Sequence, residues 1–95
     1  MTIAPAVLAP FVNEIAFITE QQPATTPQEF IGQLEIASER LADARINNAE
    51  DLDTAATYLS DAINATGAKR KHLTAQAVSY LSNARDMADE YRLMV

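Results

Sequence analysis

Three stretches of the chain each carry two interleaved rows of apolar residues at seven-residue spacing, and one row in each stretch is alanine. In the first stretch, Leu34 and Leu41 alternate with Ala37 and Ala44. The other stretches repeat the pattern with Leu52, Ala55, Leu59 and Ala62, and with Leu73, Ala77, Tyr80, Ala84, Met87 and Met94. Side chains seven residues apart lie almost in line on one face of an α-helix. A row of large side chains beside a row of alanines lets helix backbones approach closely, so the pattern predicts an all-α bundle.

Local signals predict where the helices begin and end. Pro10 fits the first turn of a short N-terminal helix. Thr26, Pro27 and Glu29 form a helix start in which threonine caps, proline occupies the first turn and glutamate reaches back to the cap amide. We predict helices from Pro10 to before Gln21, from Pro27 to about Ile46, from Ala49 to Thr66, and from about Lys69 to Leu93, with Gly67 as a left-handed terminator of the third.

The pair Asn47 and Asn48 predicts a break between the second and third helices, because asparagine competes for backbone hydrogen bonds and favours caps. Extending the apolar stripe straight from Leu41 to Leu52 would bury Arg45, whereas a bend leaves it in solvent. The alternative is one helix of about 40 residues that folds back at the next turn onto the last helix.

The length of 95 residues fits a single helical domain over residues 1–95, with an apolar arm over 1–9 and a linker over 21–26. The absence of cysteine excludes disulfides and thiolate metal sites, and two glycines leave no glycine-rich phosphate loop. The apolar start lacks the positive charge of a secretory signal and is interrupted by Pro5, Pro10 and Glu14. We therefore expect neither a signal peptide nor a membrane span, and a protein that is cytoplasmic or incorporated in a particle.

No residue constellation predicts catalysis, a metal site or a cofactor. A di-metal bundle site needs glutamate three residues before each histidine, and residue 69, three before His72, is lysine. Asp51 and Asp53 begin like a calcium loop, but alanines follow where a ligand and the turning glycine belong. His72 as a phosphoryl carrier on a bundle face is a third hypothesis, although the residues after it lack the glycine and lysine usual in such domains. The sequence predicts a protein that is not an enzyme.

The charge distribution is uneven. The net charge is −6, which disfavours binding to phosphate backbones and predicts no direct nucleic-acid partner. Residues 29–61 hold eight acidic residues and two arginines, whereas residues 62–85 hold four basic residues and no acidic one. The cluster Lys69–Lys71 follows the third helix, where cations favour the negative end of the helix dipole.

Apolar residues off the main stripes, including Val12 and Ile46, and apolar chain ends indicate a second contact surface. Our leading hypothesis is a non-enzymatic protein–protein interaction or assembly module, forming a homo-oligomer or part of a larger assembly as small phage or accessory structural proteins do. Its candidate partner-binding residues are Ile3, Val7, Leu8, Phe17, Ile31, Ile36, Val78 and Met94. The alternative is a small acidic inhibitor or regulator that masks a basic site on another protein with Glu35, Glu39 and Asp43.

Overall fold

The computed structural model describes residues 6–94, and these residues form an all-α helical bundle, as the sequence predicts. A short 3-10 turn, Ala6–Leu8, precedes the first helix. The α-helices are α1 (Ala9–Thr19), α2 (Pro27–Asp43), α3 (Glu50–Ile63), α4 (Gly67–Leu81) and α5 (Ala84–Met94).

The start of α2 is fixed by side chains, and Pro27 lies in its first turn as predicted. The Thr26 hydroxyl accepts a hydrogen bond from the Glu29 amide at 3.1 Å. The Glu29 carboxylate accepts from the hydroxyl of Thr25 at 2.7 Å and from its amide at 3.2 Å, not from the predicted Thr26 amide. These bonds from Thr25 lower the pKa of Glu29. Their contribution to stability is complete above the ordinary pKa of 4.5 and is lost as the pH falls through the lowered pKa.

We expect Thr26→Ala to lower the free energy of unfolding by about 1 kcal/mol, because the Glu29 amide loses its cap. Thr57→Ala is the matched control, since its hydroxyl bonds only the Asp53 carbonyl within a helix. Urea unfolding of both variants measures the difference. Equal midpoints for the two would contradict the capping role.

Helices α2 and α3 are separate, which excludes the single long helix. Arg45 and Asn48 adopt left-handed backbone conformations with φ of 61° and 68°, and both side chains are exposed. The Ser38 hydroxyl donates to the Ala49 carbonyl at 2.9 Å across the turn. Because Arg45 is left-handed, α2 ends at Asp43 and does not reach the predicted end near Ile46. Ile46 is 4% exposed and packs in the core.

The third helix ends at Ile63, not at Thr66 as predicted, and Gly67 opens α4 instead of terminating α3. Gly67 still has the positive φ expected of it, 58°. The earlier ending has a local cause, because the Arg70 guanidinium donates to the carbonyls of Ala62 and Ile63, each at 3.1 Å. The Ala62 carbonyl also accepts from the Ala65 amide at 3.1 Å, so Arg70 adds a second donor there and supplies a side-chain donor to the Ile63 carbonyl at the helix end.

The predicted fourth helix is interrupted at Ser82 and Asn83, which divide it into α4 and α5. The Ser82 hydroxyl donates to the Ser79 carbonyl at 2.9 Å, and the Ser82 amide also points to that carbonyl. The Asn83 carbonyl then accepts from the Met87 amide in the first turn of α5. Serine and asparagine therefore replace helical bonds with local ones at this point.

Helices α1 and α2 run in the same direction. Leu8, before α1, and Pro27, at the start of α2, line the same groove. At the other end, Glu20 forms an ion pair with Arg40 at 2.7 Å. The linker returns alongside α2, held where the Gln33 side-chain amide donates to the Gln22 carbonyl at 2.8 Å. Helix α3 packs against α2 and α4, and α5 packs back onto α1, giving a bundle 41 Å long.

The alanine row faces the interior, as predicted. Ala37, Ala55, Ala77 and Ala84 are completely buried and Ala62 is 5% exposed, whereas Ala44 is half-buried. The row of large side chains follows the prediction in α2 and α3 but not throughout α4 and α5. Leu73 and Tyr80 are half-buried and Met94 is exposed, while Thr74 and Leu81 are buried instead. The buried face of α4 is formed by Thr74, Ala77 and Leu81, so Leu73 and Tyr80, each one residue before a buried position, lie at its edge.

Candidate docking groove

An open apolar groove of about 850 Å³ lies at the end of the bundle where α3 ends and α4 begins. Side chains of the 3-10 turn, α3 and α4 form its floor and walls. The principal apolar ones are Val7, Leu8, Leu59, Ile63 and Val78. A concave apolar surface of this size is the usual shape of a binding site.

Helical spacing and small side chains create the groove. Leu59 and Ile63 lie one turn apart on α3, and Ala75 and Val78 lie on one face of α4. Ala62, Ala75 and Gly67 also border the space, and the two methyl groups and the glycine leave it unfilled. Pro27 at the start of α2 closes one side.

The rim of the groove is cationic. Arg70 is held over the end of α3 by its bonds to the Ala62 and Ile63 carbonyls. Thr74 donates its hydroxyl to the Arg70 carbonyl at 2.8 Å, and Lys71 is exposed beside it. The predicted placement of basic side chains at the negative end of the third helix is thus observed for Arg70. A partner of this groove would meet hydrocarbon at its centre and positive charge at its edge.

The opposite end of the bundle exposes apolar side chains. Leu93 is 87% exposed and Met94 is 56% exposed at the end of α5. This end is fixed to α1, because the Tyr91 ring packs edge-on against Phe17 at 6.3 Å and the Arg92 guanidinium lies 4.5 Å from the Phe17 ring centre. The hydrogen bond to Glu20 raises the pKa of Arg40 at the same end.

The structure brings two of the predicted partner-binding residues together: Val7, which is 53% exposed, and Val78, which is half-buried, both line the groove. Leu8 is only 1% exposed, so it belongs to the core and contributes only to the groove floor. Val12 and Ile46, which the stripes left outside, are also buried in the core.

The other predicted residues lie elsewhere. Phe17 and Ile31 are half-buried and pack against the core, and Ile36 is exposed on the outer face of α2. Met94 is exposed at the end opposite the groove, and Ile3 lies outside the described residues.

Glu35, Glu39 and Asp43, the alternative acidic surface, are all exposed on α2. Ile36, whose side chain is 37% exposed, lies beside them on the same side of the helix. The three carboxylates and the isoleucine therefore form one continuous outer face of α2, which fits the predicted acidic patch in position but carries a single apolar side chain.

The sequence predictions did not include Ile63 or Ala75 among the contact residues, nor the 87% exposure of Leu93, whereas Leu59 was expected in the core row and is 5% exposed. Ala75 and Val78 lie on one face of α4, and this spacing is the signal that could have indicated a second apolar face. The exposed side of α5 is visible in the spacing of Asp86, Glu90 and Leu93.

Within residues 6–94, no three histidine or acidic side chains come close enough to hold a metal ion. His72 is exposed on α4. In the same part of the chain, no helix combines the length and apolar character that a bilayer crossing needs.

No protein-family model matches the chain, and no curated protein or solved structure is significantly similar to it. The surface features that bear on function are therefore the groove, the exposed end of α5 and the acidic face of α2.

Proposed function

We propose that this protein is a non-enzymatic interaction module that self-associates or docks into a larger assembly. The observation that carries the proposal is the open groove of about 850 Å³, which has an apolar floor and a cationic rim. Helical proteins commonly recognise an amphipathic helix by taking its apolar face into such a groove. An isolated monomer would leave this apolar surface in water.

The size of the groove sets the scale of the interaction. Each leucine-sized side chain buried there contributes about 1.5–3 kcal/mol. Association also costs several kcal/mol in lost translational and rotational freedom. A partner with two or three apolar anchors therefore binds reversibly, and repeated copies of the contact are needed for a stable assembly.

We expect Ala75→Glu to weaken binding about tenfold or more, because it places a carboxylate on the lining of the groove, where an apolar partner would contact it. Ala75 is exposed, so the fold tolerates the change, and glutamate is a good helix former. Ser79→Glu is the matched control, one turn further along α4, exposed and outside the groove lining. Cross-linking in cells that make the protein, and sedimentation of the purified chain, measure binding to other proteins and to itself.

The proposal requires a protein, whether a second copy or another chain, that binds the wild type and Ser79→Glu but not Ala75→Glu. Binding that is the same for all three would contradict it, as would the absence of any bound protein.

The exposed acidic face of α2 favours a second candidate function, masking of a basic site on another protein. Combined neutralisation by Glu35→Gln, Glu39→Gln and Asp43→Asn would then abolish binding and its salt dependence, while Ala75→Glu would leave both unchanged. Unchanged affinity in the neutralised variant would exclude this function.

A further inference from the structure

We infer that the groove receives the last turn of α5, with Leu93 and Met94, from a second copy of this chain, so that copies join head to tail. The inference rests on the proposed function and names the partner of the same groove.

The outward face of α5 combines acidic side chains with exposed apolar ones, which complements the apolar floor and cationic rim of the groove. At 100° per residue, Asp86, Glu90 and Leu93 share one side of the helix, with Met94 and Asp89 on either side of them. Leu93 and Met94 are 87% and 56% exposed, so two adjacent apolar anchors lie free of the core. The face is therefore acidic along its length and apolar at its last turn.

Charge complements this arrangement. The acidic side chains of α5 precede the apolar anchors, and Arg70 and Lys71 stand at the rim of the groove. Arg92, the basic residue nearest the anchors, is turned aside towards Phe17 and pairs with Asp89 at 3.3 Å. With the anchors seated, carboxylates and cations of opposite sign come together at the edge of the contact.

The positions of the two surfaces exclude binding within one molecule. The groove includes Leu8 at the start of α1, whereas the end of α5 is fixed against Phe17 near the end of α1. The helix rise between these positions is about 14 Å. Each copy therefore has a groove at one end and its complement at the other. A contact of this kind is heterologous and leaves one groove and one α5 end free for further copies.

Two other occupants fit less well. A symmetric contact of groove with groove would bring Arg70 and Lys71 of both copies together, which like-charge repulsion disfavours. The acidic face of α2 offers one partly exposed apolar side chain, Ile36, where the end of α5 offers two that are more exposed.

A mixing experiment tests the inference. Ala75→Glu blocks the groove and leaves α5 intact, and Leu93→Asp removes the anchor and leaves the groove intact. We expect each variant alone to be monomeric where the wild type associates, with association weakened about tenfold or more. An equimolar mixture should form a heterodimer and grow no further, because only one groove and one α5 end remain functional. Ser79→Glu and Asn83→Asp, both exposed, are the charge-matched controls and should associate as the wild type does.

The outcomes separate this inference from the proposed function. If Leu93→Asp associates as the wild type does while Ala75→Glu does not, the end of α5 is not what binds in the groove, and the groove remains a docking site for another segment. If the mixture stays monomeric, or the wild type shows no self-association up to millimolar concentration, the head-to-tail contact is overturned. If Ala75→Glu retains both self-association and any bound protein, the head-to-tail contact and the proposed function of the groove are both contradicted.

Discussion

Phe30→Ala lowers the free energy of unfolding by about 3–5 kcal/mol. Phe30 is the largest of the completely buried side chains in the described part of the chain and lies in the first turn of α2. Replacing its ring with a methyl group removes the transfer energy of the lost atoms and leaves a cavity that the surrounding helices fill only in part. A domain of this size is typically stable by about 5–14 kcal/mol, so the variant loses a large part of its stability.

Chemical unfolding followed by circular dichroism measures the loss. Phe11→Ala is the matched control, because Phe11 is half-buried at the edge of the core and the same atoms are removed from a site that water already reaches. An equal shift of the unfolding midpoint in both variants would contradict the burial of Phe30.

Ala55→Leu lowers the free energy of unfolding by about 1–3 kcal/mol although it adds apolar surface in a residue that forms helices well. Ala55 is completely buried in α3, and α3 packs against both α2 and α4. The larger side chain would push these helices apart or adopt a strained rotamer.

Ala42→Leu is the control for this change, because Ala42 is exposed on α2 and substitutions at such positions change stability by about 0.5 kcal/mol or less. Ala62→Leu should cost less than Ala55→Leu, since Ala62 borders the groove and the added atoms have open space on one side. A neutral Ala55→Leu would mean that the alanine row does not set the distance between helices.

Much of the fold follows from the sequence. The leucine row with Leu34 and Leu41 and the alanine rows with Ala37 and Ala55 indicate both the helical period and the face that is buried. The cap at Thr26 and the break before α3 could also be predicted, since threonine and asparagine act there through hydrogen bonds to neighbouring residues. Such features depend on a few consecutive residues and not on the tertiary structure.

The two helix boundaries that were predicted wrongly, the end of α3 and the division between α4 and α5, depend on contacts outside the periodic pattern. The end of α3 involves Arg70, which reaches back across the turn to the Ala62 carbonyl, and the division at Ser82 involves the local bond from the Ser82 hydroxyl to the Ser79 carbonyl. Neither outcome is encoded in a periodic pattern.

The candidate site was predictable only in part. Val7 and Val78 were expected on a contact surface and do lie in the groove, but Leu8, beside Val7, was expected there too and is buried. The groove joins the beginning of α4 to the end of α3 and the turn before α1. Which side chains meet there depends on the parallel course of α1 and α2, and no local signal specifies that course.

One distance measurement tests the head-to-tail contact most directly. Because the chain has no cysteine, Arg85→Cys gives a unique site for a nitroxide label on α5, beside its outward face. Labelled chains are mixed with isotope-labelled chains that carry no nitroxide, and the broadening of amide signals is recorded by NMR. A head-to-tail contact should broaden signals centred on Val7, Ile63 and Lys71 of the second copy. Broadening centred on another surface, or none while the chains associate, would contradict it.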